Sequence, residues 1–268
     1  MPQRLGQHFL INKSAIKKII AALNLQPNDI IIEIGPGKGA LTFPLTAECQ
    51  KIGCKVVAIE KDPELAKNLE LGIRNYGRIK ILRGDVLKDL PTLIHNSSFI
   101  IQNYKVVGNI PYYITGKLLR ILSELENKPE LTILMIQKEV AQRIVAKPPK
   151  MNLLAAAVQF WAEPKILFTL KPADFSPPPE VNSAVIRLTT KQQITTDNNY
   201  YKLLHIIFKQ PRKTILNNLK TGLKMPKNKI EIALKSLKID PNSRPQNLSL
   251  EQINSLLTQE LFTDLDCS

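Results

Sequence analysis

The sequence predicts an α/β fold: a mostly parallel sheet with helices on both faces, followed by a small all-helical region. Three observations predict it. Short β-branched runs alternate with helical segments, a glycine-rich turn follows directly on the first run, and from about Thr195 only helix-length segments with polar linkers remain. One cut therefore divides the chain into residues 1–194 and residues 195–268.

Ile16, Ile19, Ile20 and Leu23 recur at helical spacing behind Asn12 or Ser14 as caps, so the N-terminus opens with a helix. Strands are expected at Ile30–Ile34, Val56–Ile59, Lys80–Leu82, Tyr104–Val107 and Leu131–Ile136, each pair separated by a helical segment. Ala155–Trp161, Lys165–Thr169 and Ser183–Leu188 also read as strands, the late ones closing the sheet antiparallel. Tyr200–Lys209, Arg212–Leu219, Lys229–Leu237 and Ser249–Leu261 make the helical region.

With 268 residues and 44% hydrophobic side chains the chain can bury a full core, which excludes disorder. Lys and Arg number 37 against 23 Asp and Glu, a formal charge of +14. The excess is spread, with 12 basic against 7 acidic residues in 191–268 and the remainder before them, so a broad basic surface is expected to seek a polyanion. No apolar run approaches the roughly 18 residues of a membrane span, and the first residues lack the apolar segment of a signal peptide. No membrane association and a cytoplasmic location are expected. Cys49, Cys54 and Cys267 form no CxxC, and three histidines form no HExxH, so neither disulfides nor a metal site is expected.

Glu33-Ile34-Gly35-Pro36-Gly37-Lys38-Gly39 follows the first predicted strand and precedes a helical segment. Glycines at that place let the backbone approach a ligand at the carboxyl end of a central strand. The spacing is not that of a P-loop, because Ala40 stands where Gly-Lys would have to follow. Glu60 closes the second strand, where a carboxylate can accept from both hydroxyls of a ribose, and Asp85 closes the third, where it can take an adenine amino group. The three together imply a nucleoside-bearing cofactor. Gly108-Asn109-Ile110-Pro111-Tyr112-Tyr113 ends the fourth strand with an amide, a backbone-fixing proline and a flat ring, a combination suited to gripping an amino-bearing base.

These motifs, with Gln7-His8-Phe9-Leu10 before them and Phe175-Ser176-Pro177-Pro178-Pro179-Glu180-Val181 after them, resemble in order and spacing the KsgA-type family of ribosomal RNA adenine dimethyltransferases. Phe208–Leu219 and Arg244–Ser249 resemble its bacterial branch, so the likeness covers essentially the whole chain. The resemblance implies a Rossmann-like class I methyltransferase with S-adenosyl-L-methionine as cofactor. It implies a catalytic domain with an N-terminal arm over residues 1–194 and a helical RNA- and ribosome-binding domain over 195–268. His8, Leu10, Gly35, Gly37, Glu60, Asp85 and Asn109 would contact the cofactor, His8 standing where many relatives have Asn. Asn109 and the Ile110 carbonyl would accept hydrogen bonds from the adenine amino group, Pro111 would fix their backbone, and Tyr112 and Phe175 would wall the base.

The implied substrate is 16S rRNA in the immature small ribosomal subunit, dimethylated at N6 of two adjacent adenosines near its 3′ end, with the enzyme acting as a monomer in ribosome biogenesis. Arg143, Lys147 and Lys150 beside the site and Arg212, Lys213 and Lys220 in the helical part are the expected phosphate contacts. Three alternatives compete: the Erm methyltransferases of 23S rRNA, a nicotinamide dehydrogenase, and a non-enzymatic assembly factor. The C-terminal motifs speak against the first, and a dehydrogenase gives Asn109–Tyr112 no task.

Overall fold

The structure, a computed structural model, describes residues 8–96, 103–192 and 198–258. Gln7, Cys267, the end of the last expected helix beyond residue 258 and the expected cut at 194/195 lie outside them. The chain forms two compact units, one running up to Ala141 and resuming over Glu163–Thr190, the other made of Gln142–Ala162 and the chain from Lys191 onward.

The first unit is built on a seven-stranded sheet. Its strands are β2 (Ile30–Ile34), β3 (Lys55–Glu60), β4 (Ile79–Arg83), β5 (Tyr104–Asn109), β6 (Leu131–Gln137), β7 (Ala162–Leu170) and β9 (Ser183–Thr190), in the order β4-β3-β2-β5-β6-β9-β7. The pairs from β4 to β6 are all parallel, and β9 joins β6 antiparallel, as the sequence suggested. The order reverses between β2 and β5, the switch point where doubly wound sheets open a crevice at their carboxyl ends. Register puts Ile34 level with Ile59 and Gly108, so Gly35, Glu60 and Asn109 emerge along one edge.

A separate two-stranded ribbon joins β1 (Phe9–Leu10) to β8 (Phe175–Ser176), pairing Phe9 with Ser176 and Leu10 with Phe175. Asn12 strengthens it, its amide donating to Asp174 over 2.7 Å while its oxygen caps α1 (Lys13–Ala22) at Ala15 N. Helices α2 (Thr42–Ile52), α3 (Pro63–Gly72), α4 (Val86–Asn96) and α5 (Thr115–Glu124) connect the parallel strands, and α6 (Lys138–Ile144) follows β6. Asp62 caps α3 ahead of Pro63, the arrangement that stops β3 and starts a helix at once.

Two sequence expectations are corrected. The segment expected as a strand at Ala155–Trp161 is helix α7 (Leu153–Trp161), capped by Asn152. An apolar run carries no period, and its three consecutive alanines with a cap favour helix over strand. Cys49 and Cys54 are joined as a disulfide: Gly53, left-handed at φ +98, ends α2 and folds the chain back until the two Cα atoms are 4.6 Å apart.

The second unit packs α7 with α8 (Asn198–Ile207), α9 (Ile215–Leu223), α10 (Lys227–Ser236) and α11 (Leu250–Leu257). The Tyr200 ring stacks on Phe160 at 3.8 Å and its hydroxyl donates to the Ala156 carbonyl, which is why residues 142–162 group with the C-terminal helices. Between α8 and α9, the Asn218 amide both accepts from Gln210 N and donates to Gln210 O, closing the turn on which Arg212 and Lys213 stand exposed.

Candidate active site

One cavity of about 320 Å³ opens at the carboxyl edge of the sheet in the first unit. His8, Leu10, Gly35, Gly37, Glu60, Asp85, Asn109, Ile110, Pro111 and Tyr112, ten of the eleven residues expected to bind cofactor or base, line it. Phe175 does not. It is buried in the core with 3% exposure, because its strand β8 pairs with β1 and turns its ring inward under the ribbon. The proline-rich motif thus holds the N-terminal arm, and the expected second wall of the base is corrected to a core residue.

The floor is the glycine turn. Gly35, Gly37 and Gly39 all take positive φ, and a Cβ on Gly37 would meet the Phe9 ring at 2.8 Å. Glu60, 4% exposed, holds this turn from the side: Oε2 accepts from Gly37 N and Oε1 from Asp62 N, both at 2.9 Å. Each carboxylate oxygen keeps a second lone pair for a ligand. Asp85 is likewise engaged, accepting from Lys61 Nζ at 2.8 Å and from Leu87 N at 3.0 Å at the start of α4. The Lys61 hydrogen bond is the main reason its pKa sits below the usual carboxylate range.

At the other wall, Asn109 Nδ2 donates to the His8 carbonyl at 2.8 Å. His8 in turn donates from Nδ1 to the Pro177 carbonyl at 2.9 Å, and its ring lies 6.2 Å from that of Tyr112 at an interplanar angle of 27°. The Tyr112 hydroxyl meets Ser183 Oγ at 2.9 Å, and Ser183 is fully buried at the start of β9. A Cβ on Gly108 would stand 2.7 Å from the Ile34 carbonyl, so only glycine lets the Asn109 turn sit this close to β2.

Four charged cavity residues escaped the sequence reading. Glu33 is buried, its Oε2 has no hydrogen-bond partner, and it lines the cavity. Burial pushes its pKa up to about 8, with the nearby Thr42 hydroxyl opposing and the Glu60 charge adding to the rise. Lys38, Lys61 and Lys117 also line the cavity. Glu33 and Lys38 sit inside the quoted glycine motif and Lys61 beside Glu60, so position alone could have flagged them. The six basic residues expected to meet phosphate are all exposed, but none lines the cavity, and all six belong to the second unit.

The donor set fits an adenosine carrying a cationic amino-acid chain. Glu60 and Asp85 keep spare acceptor lone pairs at the ends of β3 and β4, glycines clear the floor, and the buried Glu33 carboxyl, with one oxygen unpartnered, lines the same cavity. A family model described as ribosomal RNA adenine dimethylase matches residues 2–260. The ribosomal RNA small subunit methyltransferase A of Dehalococcoides mccartyi (strain CBDB1) is 39% identical over 256 residues, covering 94% of this chain and 86% of that protein. Its namesake from Shouchella clausii (strain KSM-K16) is 37% identical, covering 99% and 91%. Among solved structures, a dimethyladenosine transferase from Plasmodium falciparum superposes with a TM-score of 0.80 at 25% identity over 93% of this chain and 96% of that one. The 23S rRNA methyltransferase ErmE shares the fold, with a TM-score of 0.72 at 24% identity over 97% and 100%.

Proposed function

The chain belongs to the ribosomal RNA adenine dimethylase family, and from that premise we propose that it dimethylates N6 of two adjacent adenosines near the 3′ end of 16S rRNA in the immature small subunit. It is an S-adenosylmethionine-dependent rRNA adenine dimethyltransferase with a Rossmann-like catalytic sheet. Among the described residues no helix is long and apolar enough to cross a membrane. A substrate found in assembling subunits supports a cytoplasmic location.

Glu60 would take the ribose hydroxyls, Asp85 the adenine amino group, and Glu33 the ammonium of the methionine chain, over the floor made by Gly35 and Gly37. Bound S-adenosylmethionine supplies an electrophilic sulfonium methyl. The difficulty lies with the adenine amine, whose lone pair is delocalised into the ring. Asn109 Oδ1 and the Ile110 carbonyl would accept its two N–H bonds, draw the nitrogen toward tetrahedral geometry and turn the lone pair to the methyl carbon. Held in this way, the amine would be poised for the methyl group that the cofactor supplies when bound, and the proton it gives up would pass to solvent. After one round a single N–H remains, so one acceptor suffices for the second. Tyr112 would hold the extruded ring by stacking, worth about 1–3 kcal/mol per base. Residues 195–268, with Arg212, Lys213 and Lys220, and also Arg143, Lys147 and Lys150, would meet rRNA phosphates.

The observation that supports this reading most is the fastening of Asn109. Its partner is a carbonyl, so its nitrogen must face His8 and its oxygen is left to accept. The test is to incubate unmethylated small subunits and, separately, large subunits with labelled S-adenosylmethionine and map the products. Two adjacent dimethyladenosines in 16S rRNA are expected; label confined to 23S rRNA would refute the assignment.

A further inference from the structure

Tyr113 is 62% exposed, yet it lines the cavity. It stands on a 3₁₀ turn, Tyr112–Ile114, anchored on one side by Pro111 and on the other by helix α5. Successive residues of such a turn point about 120° apart, so the two tyrosines face different ways. Tyr112 is half-buried with its hydroxyl fastened to Ser183, whereas Tyr113 is left on the rim. A lone exposed ring is ordinary on a protein surface. This one is not alone. The exposed side chains of Lys61 and Lys117 also line the cavity, Lys61 paired with Asp85 at 2.8 Å. An aromatic face among cations is the chemistry of single-stranded nucleic acid, where rings stack the bases and ammonium groups meet the phosphates.

Drawing one base out of a strand also strips its neighbour of a stacking partner, a loss that the enzyme must offset. Resting on the rRNA reading above, we propose that Tyr113 is a stacking platform for the nucleobase adjoining the target adenine, with Lys61 and Lys117 meeting the phosphates that flank it. The site therefore recognises two nucleotides: one extruded against Tyr112, its neighbour held at the mouth on Tyr113.

The experiment uses the full chain, unmethylated small subunits and labelled S-adenosylmethionine. Tyr113→Ala raises KM for subunits about ten- to a hundredfold, with a smaller fall in kcat. Tyr113→Phe and Tyr113→Trp, which keep a ring, restore KM to near the wild-type value. Binding of S-adenosylmethionine alone, measured by equilibrium dialysis, reports whether the cavity is intact. An alanine variant with wild-type KM for subunits overturns the platform, as does one that has lost cofactor binding in step with KM, since the ring would then be structural. Failure of the wild-type enzyme to label any small-subunit RNA would instead overturn the functional reading on which the platform rests.

Discussion

The side-chain nitrogen of Asn109 donates to the main-chain carbonyl of His8 across 2.8 Å, tying the end of β5 to the N-terminal arm. The bond fixes which end of the amide faces the cavity. Replacing Asn109 by Ala removes both the acceptor and the tie and is expected to lower kcat for methyl transfer about 10²–10³-fold. Asn109→Asp should do as much harm, since a carboxylate facing a carbonyl has no proton to donate. Labelled methyl incorporation into small subunits checks both, and a variant within a fewfold of wild type would remove Asn109 from the chemistry.

Glu60 does two tasks at once, bracing Gly37 and Asp62 and presenting its remaining lone pairs to the cavity. Glu60→Ala is expected to weaken S-adenosylmethionine binding about tenfold to a hundredfold, the worth of one or two charge-assisted hydrogen bonds. Glu60→Gln keeps the shape and should fall in between. Calorimetric titration with S-adenosylhomocysteine measures the loss.

Glu33 gives the protein a pH dependence of known sign. Its folded pKa, about 8, lies above the ordinary 4.5, so the folded state holds a proton that the unfolded chain has released. The resulting stabilisation is complete below pH 4.5 and is lost as pH rises through 8. Denaturant unfolding of the ligand-free protein from pH 5 to 9 should show this decline, and Glu33→Gln should flatten it. A cation beside the ionised carboxylate draws the same pKa down, so cofactor affinity is expected to rise over that range in the wild type and not in the variant.

Ser183 holds the rim of the Tyr112 ring through a hydroxyl pair at 2.9 Å. Ser183→Ala and Tyr112→Phe each break it, and each should cost a fewfold in kcat while stacking survives. The double variant should cost no more than either alone, because both remove one interaction. Full additivity in the methyl-transfer rate would show that the hydroxyl pair does not steer the ring.

Far from the cavity, at the opposite end of β5, Lys105 is buried at 3% exposure and bonds Asp29 at 2.7 Å and the Asn24 carbonyl at 2.9 Å. Lys105→Met leaves Asp29 without its charge partner and is expected to cost about 3–5 kcal/mol of stability. Thermal unfolding reads this directly.

Much of the site was legible because its residues are constrained one at a time. Glycines at Gly35 and Gly37 are demanded by backbone sign and by the Phe9 ring, and an acid at Glu60 or an Asn-Pro pair at Asn109 has little packing use at a strand end. Phe175 was misplaced because a phenyl ring suits a core and a ligand wall equally, and only the pairing of β8 with β1 decides between them. Ala155–Trp161 failed for the related reason that an unbroken apolar run has no period to read. Glu33 stands in the glycine motif yet has no role assigned from it, since nothing in sequence reveals that an acid in a β-branched strand will end buried with one oxygen unpartnered. The bond between Cys49 and Cys54 depends on the left-handed turn at Gly53, and an odd cysteine count hid it.

The helical unit borrows its first helix from mid-chain, and that has a bearing on synthesis. When residue 190 has left the ribosome, all strands of the sheet are available, but the alanine face of α7 still lacks the Tyr200 ring that will cover it. A fragment stopped there would carry a sticky apolar stub, so shortened versions of this enzyme should precipitate unless residues 142–162 are excised and bridged as well.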